Sequence, residues 1–272
     1  MSDLSAFSLA GKRIAVTGAN TGIGQGIAVA VARAGGTVIG IGRSAMDETA
    51  RLVEAQGASF LSAKADIADS GAAISLLNEL MASAPLDGLV NNAGIIRRAD
   101  AIDFTEDDWD DVMDVNLRSM FFLCQAYGRK CIETKRLGRI VNIASLLSFQ
   151  GGIRVASYTA SKHGVLGITR LLANEWAASG INVNAIAPGY IETNNTEALR
   201  NDPGRSKAIL ERIPAGRWGV SDDIGDAAVF LLAPASNYMH GVILPVDGGW
   251  LAFGGIGPAF RSNPSAVEDL PA

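Results

Sequence analysis

Ile14-Ala15-Val16-Thr17-Gly18-Ala19-Asn20-Thr21-Gly22-Ile23-Gly24 decides how the rest of this 272-residue chain is read. A short apolar run leads without a break into a glycine loop, and an apolar helical pattern at Ile27, Val29 and Val31 follows. Glycines let the backbone turn sharply after a strand and approach a pyrophosphate closely, while a helix amino terminus offers free N–H groups and partial positive charge to the anion. The spacing is Gly-x-x-x-Gly-x-Gly rather than the commoner Gly-x-Gly-x-x-Gly. Alone, it could be an ordinary glycine-rich turn; behind the first strand of an α/β chain it predicts a dinucleotide site. Gly18, Asn20, Thr21, Gly22, Ile23 and Gly24 are the residues placed there.

The 19 residues from Ile14 to Ala32 carry no charge, which approaches the length of a membrane span. Gly18, Asn20, Thr21, Gly22, Gly24, Gln25 and Gly26 interrupt them, so a strand, a loop and a helix read better. Met1-Ser2-Asp3-Leu4 has no basic n-region and no apolar run follows before Lys12, so no secretory signal is expected. The expectation is a soluble, cytoplasmic protein with no membrane partner.

Working outward, short β-rich runs at 13–17, 37–41, 59–63, 88–91, 139–142, 182–187 and 242–246 alternate with helical patterns at 22–34, 47–56, 71–84, 106–134, 157–178 and 222–232. Near-continuous apolar strands suit a parallel sheet covered on both faces. The alternation predicts a seven-stranded, doubly wound parallel sheet of the Rossmann type, with helices on both faces. One domain over 1–252 is expected, with a small lid at about 190–213 and an irregular tail at 253–272. A hydrophobic content of 48% argues against disorder, and two cysteines argue against a disulfide scaffold. A net charge of −5 argues against a nucleic-acid partner held by bulk charge. Two histidines with Cys124 and Cys131 form no metal-ligand spacing, so no metal is expected.

The nucleotide is read at the end of the second strand, where NAD sites usually place a carboxylate for the ribose 2′-hydroxyl. Ile41-Gly42-Arg43-Ser44 offers a guanidinium instead, which pairs with a 2′-phosphate and stacks on adenine. NADP(H) is therefore favoured over NAD(H), with Ser44, Asp66 and Ile67 placed beside the adenosine; the alternative for Arg43 is a solvated loop residue. Tyr158 and Lys162 share one helix face at a spacing of i, i+4. A phenol titrates near pH ~10, which a nearby ammonium would pull down by stabilising the phenolate, as would the positive ring of an oxidised nicotinamide. A hydroxyl from Ser145 could hold the substrate oxygen beside it, which is general acid–base chemistry coupled to hydride transfer.

Thr17-Gly18-x-x-x-Gly22-x-Gly24, Asn91-Asn92-Ala93-Gly94, Asn116, Ser145, Tyr158-x-x-x-Lys162 and Pro188-Gly189-x-x-x-Thr193 occur in order, at or near predicted strand ends. Over about residues 9–251 the chain resembles the short-chain dehydrogenase/reductase family. The resemblance implies Tyr158 as general acid–base, Ser145 as the orienting hydroxyl, Lys162 on the nicotinamide ribose, and Asn116 holding a water in the proton relay. It also implies Asn92, Ala93 and Gly94 along the cofactor, Pro188 and Gly189 beside it, Ile191 and Thr193 at the carboxamide, and a homotetramer. Stretches 91–98, 148–155, 190–196 and 208–219 resemble a sugar-acid branch of that family, whose members act on deoxy-hexulosonates in uronate breakdown.

A small acidic keto-sugar fits the residues: Arg97, Arg154, Arg205 and Arg217 are candidates for its carboxylate, and Gln150, Asn194 and Asn195 for its hydroxyls. For any one arginine, an ion pair within the fold or between subunits is the plainer reading. The alternatives are a reductase of the alginate-derived unsaturated uronate, a 3-oxoacyl thioester reductase, and a non-enzymatic NAD(P) sensor or scaffold. His163 is expected off the Tyr158–Lys162 face, and the four tryptophans are expected to pack.

Overall fold

The computed structural model describes residues 4–254, so positions 255–272 of the expected tail lie outside the described residues. Strands β1 (Arg13–Thr17), β2 (Thr37–Gly42), β3 (Phe60–Lys64), β4 (Gly88–Asn91), β5 (Gly138–Ile143), β6 (Ile181–Pro188) and β7 (Ile243–Val246) form one sheet. Its order is β3-β2-β1-β4-β5-β6-β7, and every neighbouring pair is parallel. The crossovers diverge on either side of β1, and the gap between the carboxyl ends of β1 and β4 is where such sheets hold ligands.

The helices are α1 (Gly22–Arg33), α2 (Asp47–Glu54), α3 (Ser70–Ser83), α4 (Glu106–Met113), α5 (Met120–Thr134), α6 (Ala156–Trp176), α7 (Asn194–Arg200), α8 (Pro203–Arg212) and α9 (Ser221–Leu232). Side chains alternate along each strand, so Ala15, Leu89 and Ile140 pack toward Leu77 of α3, Leu123 and Tyr127 of α5 and Val165 of α6. Ile14, Val16, Val90 and Val141 pack toward Ile27 and Val31 of α1, Val53 of α2 and Leu231 of α9. Each fully buried Leu or Ile contributes about 1.5–3 kcal/mol relative to exposure. Both faces being covered is the reason the strands read as unbroken apolar runs. Helices α1 and α9 meet backbone to backbone, because a Cβ on Gly225 would lie 2.9 Å from Gly26 O.

Side-chain caps start several helices. Asp69 accepts from Ala72 N at 2.9 Å before α3, and Thr105 accepts from Asp108 N at 3.2 Å before α4. Asp202 accepts from Gly204 N (3.0 Å) and Arg205 N (3.1 Å) before α8, with Pro203 in the first turn.

Two local expectations change. The helix expected across 106–134 is interrupted by a π-helical segment, Asp114–Ser119, which separates α4 from α5. Asn116 sits in that widened turn and clasps a distant backbone: Ile95 N donates to its Oδ1 at 2.8 Å, and its Nδ2 donates to Ile95 O at 2.9 Å. Helical periodicity carries no trace of such a contact. The stretch expected as a lid, to which no helical pattern is assigned, contains α7 and α8, the second started by the cap at Asp202.

Candidate active site

A cleft of about 720 Å³ opens at the carboxyl edge of the sheet, between the β1–α1 loop, the loop after β4, the ends of β5 and β6, and the start of α7. Gly18 (φ +66°) and Gly22 (φ +55°) occupy the left-handed region that glycine adopts freely. A Cβ on Gly24 would run into Gly18 O and Asn92 Nδ2, so the loop is closed to any larger residue there. Asn92 Nδ2 donates to Thr17 O (3.0 Å) and Gly18 O (3.2 Å), tying the loop to β4. In return Thr17 Oγ1 accepts from Asn92 N and Ala93 N, both at 3.0 Å. A glycine cradle at the start of α1, in a cleft of this size, fits the pyrophosphate of a nicotinamide dinucleotide. Every residue that the sequence reading placed on the cofactor lines this cleft, from Gly18 at one end to Thr193 at the other.

At the end of the cleft beside β2 and β3, Arg43 stands largely exposed, with Nη1 3.7 Å from Asp66 Oδ2. An exposed pair that loose is worth about 0–1 kcal/mol, so the guanidinium can turn toward another anion. Ser44 and Ile67 line the same corner.

At the other end, Ser145 follows β5 and caps the short turn Leu146–Ser148, its Oγ accepting from Leu147 N at 3.1 Å. The same hydroxyl is hydrogen-bonded to the phenol of Tyr158 on α6. Lys162, one turn further along α6, is 5% exposed. Its Nζ donates to Ile143 O at 2.7 Å and lies 5.6 Å from the Tyr158 ring centroid. Asn116 Nδ2 donates to Ser161 Oγ at 3.3 Å, which joins the π-helical turn to the same helix. The Asn116 side chain is thus committed to Ile95 and Ser161.

The charge states differ from the sequence reading. Burial pushes the Tyr158 phenol above its ordinary value, against the Ser145 hydrogen bond and the field of Arg98, which lower it. Burial also pushes the Lys162 amine down to about 8. Lys162 is not among the groups that lower the Tyr158 phenol: burial desolvates both side chains together, so the phenol of the chain without nucleotide stands above, not below, its ordinary value.

The candidate substrate residues separate. Asn194 and Asn195 line the cleft, as does Arg97. Arg97, however, is paired with Asp108 (3.2 Å) and Asp111 (2.9 Å). Arg154, in the left-handed region at φ +64°, pairs with Asp100 at 2.9 Å, and Arg217 pairs with Asp223 at 2.8 Å. Gln150 accepts from Trp250 Nε1 at 3.1 Å, and neither it, Arg154 nor Arg205 lines the cleft. His163 is exposed, its Nδ1 2.9 Å from Thr159 O.

Sequence reasoning missed Ser148, whose Oγ accepts from Ser145 N (3.2 Å) and donates to Lys162 O (2.7 Å), linking the two site elements. It missed Arg98, which acts on Tyr158, and the cluster in which Tyr190 packs on Trp218 and Trp250 with Arg212 over the Trp250 ring. A Ser-x-x-Ser pair after β5 was the one available signal.

A Ser-Tyr-Lys group facing a dinucleotide cleft on a doubly wound sheet defines a nicotinamide-dependent oxidoreductase. The profile described as enoyl-(acyl carrier protein) reductase, a short-chain dehydrogenase/reductase profile, matches residues 18–251, and the chain belongs to that family. It is 55% identical over 250 residues to 2-dehydro-3-deoxy-D-gluconate 5-dehydrogenase of Dickeya dadantii, covering 92% of this chain and 99% of the relative. It is 56% identical over 248 residues to the Bacillus subtilis enzyme of the same name, covering 91% and 97%. A candidate 2-deoxy-D-gluconate 3-dehydrogenase of Agrobacterium tumefaciens, solved with bound NADP, superposes with a TM-score of 0.88 at 61% identity, covering 91% of this chain and 99% of that one.

Proposed function

We propose that this chain interconverts a ketone and a secondary alcohol on a deoxy-hexulosonate, the activity its relatives' names describe, with NADP(H) as the preferred nucleotide. The observation that carries the reaction is the meeting of Ser145, Tyr158 and Lys162 at one end of the cleft whose other end presents Arg43. Bound nicotinamide would supply or accept the hydride; the chain handles the proton. Ser145 holds the reacting oxygen beside the Tyr158 hydroxyl. In reduction the protonated phenol donates to that oxygen as the carbonyl becomes an alcohol, and its raised pKa keeps it protonated across the neutral range. In oxidation the same phenol must first lose its proton.

Lys162, whose amine donates to Ile143 O, would hydrogen-bond the nicotinamide ribose, and Asn116, which clasps Ile95, would fix the π-helical turn behind the proton relay. Residues 190–213, with α7 and α8, serve as a lid on a single domain over 1–252. Exposed apolar side chains at Trp109, Ile132 and Leu171 support assembly into a homotetramer. No helix among the described residues is long and apolar enough to cross a membrane, which fits a cytoplasmic site.

The test is a screen of 2-dehydro-3-deoxy-D-gluconate and its 5-keto product, the unsaturated alginate uronate and a 3-oxoacyl thioester, each with both nucleotides, following absorbance of reduced nicotinamide. Turnover of the deoxy-hexulosonate, reduced about 10²–10⁴-fold or more by Tyr158→Phe with nucleotide binding retained, is expected. Turnover of the thioester alone would overturn the substrate, and an unaffected Tyr158→Phe would overturn the mechanism.

A further inference from the structure

The turn that carries Ser145 is tied to α6 on both of its flanks, and both ties run through Lys162. On one flank the Lys162 amine donates to Ile143 O at 2.7 Å, at the end of β5. On the other, Ser148 Oγ donates to Lys162 O at 2.7 Å and accepts from Ser145 N at 3.2 Å. Ser145 and Ser148 also cap each other, since Leu147 N donates to Ser145 Oγ at 3.1 Å. That bond fixes where Ser145 Oγ sits, and the Leu147 amide keeps its place only while the turn does. Among the described residues, Ser148 is the one whose side chain bonds the backbone of two members of the Ser-Tyr-Lys group. It is 2% exposed, so bulk water cannot replace either bond.

We propose that Ser148 is a positioning residue for the reaction: its buried hydroxyl locks the turn after β5 onto α6 and so keeps the Ser145 hydroxyl beside that of Tyr158. This rests on the acid–base reading of Ser145, Tyr158 and Lys162 given above. Ser148 itself lines no part of the cleft, so it acts through Ser145 and not on the substrate. Apolar packing between β5 and α6 has no preferred direction, whereas a hydroxyl shared by the two backbones fixes both distance and angle. Proton transfer needs that accuracy. Donor and acceptor must approach within about 2.6–3.2 Å, and a misplacement of about 1 Å costs about 10²-fold in rate. Alanine at 148 would leave Ser145 N without its partner and free the turn to shift against α6.

The experiment compares wild type, Ser148→Ala, Ser148→Thr and, as a control, Ser236→Ala, on whichever ketone of the screen above wild type reduces. Ser236 is fully buried too, its Oγ donating to Leu231 O (3.0 Å) and Ala233 O (3.1 Å), and it lines no part of the cleft. Single-turnover rate, KM for the ketone, NADPH affinity by fluorescence titration and melting temperature are measured for each. Ser148→Ala should slow the single turnover about 10- to 100-fold, with KM and NADPH affinity within about twofold of wild type. Ser148→Thr keeps the hydroxyl and should recover most of the rate; a threonine variant that melts like wild type yet is as slow as alanine counts against the proposal. Ser236→Ala should lose melting temperature and keep the wild-type rate. A Ser148→Ala enzyme that loses only melting temperature, or only KM, overturns the role of Ser148 while a slow Tyr158→Phe leaves the acid–base reading standing. A Tyr158→Phe enzyme as fast as wild type defeats that reading, and this proposal with it. If Ser148→Ala fails to fold, Ser148→Cys, closer in size, serves in its place.

Discussion

Raising the pH should stabilise the folded chain through the single amine of Lys162. That amine is 5% exposed and pushed down to about 8 from its ordinary 10.5. Below pH 8 both the folded and unfolded chains hold the proton, and the folded state bears the cost of burying the charge. Between the two values the folded chain releases the proton while the unfolded chain keeps it, so the unfolded state binds more protons and stability rises with pH. Each pH unit above the folded value adds up to about 1.4 kcal/mol, so from about pH 7 to about pH 9 the gain is about 1 kcal/mol, or roughly 2–4 °C in Tm for a chain of this size.

Cys124 and Cys131 act in the opposite sense near the top of that range. Burial raises their thiols, so the unfolded state loses protons first and stability falls. Comparison with Lys162→Met cancels them, along with the pH-independent loss of the bond to Ile143 O. Thermal melts by calorimetry of both proteins at three pH values, without nucleotide, give the difference directly. Wild type should gain about 1 kcal/mol on the Met variant across the window. A difference that stays flat, or runs the other way, refutes the claim that this amine is held desolvated in the fold.

Three other outcomes are expected. Arg43→Glu should weaken NADPH far more than NADH, read as the change in the ratio of their KM values, since a carboxylate repels a 2′-phosphate and accepts from a 2′-hydroxyl; an unchanged ratio removes Arg43 from nucleotide selection. Gly24→Ala should cost about 1–3 kcal/mol in urea denaturation and weaken nucleotide binding in a fluorescence titration, because its Cβ would meet Gly18 O and Asn92 Nδ2. The rate of alcohol oxidation should climb with pH into the alkaline range, because the phenol that must lose a proton is raised by burial, whereas ketone reduction should show no such climb. An oxidation rate that levels off below neutrality would contradict the assigned charge state.

What the amino-acid order determined by itself is the frame and the address of the chemistry. Apolar runs separated by helical periods specify a covered parallel sheet, and a parallel sheet places every strand's carboxyl end on one edge. Gly18, Asn92, Ser145 and Pro188 therefore had to gather there wherever the intervening helices lay, and Tyr158 and Lys162 came together through local helical geometry. Tertiary structure alone decided the rest. Whether a phenol or an amine carries charge depends on how much water the surrounding layers remove, so Tyr158 and Lys162 titrate in directions their spacing could not show. Which arginine stays free depends on carboxylates brought in by α4, so Arg97 is neutralised while its neighbour Arg98 is not. The π-helical turn at Asn116 answers to the backbone of Ile95, two elements earlier in the chain, and periodicity within a single helix has no means of recording it.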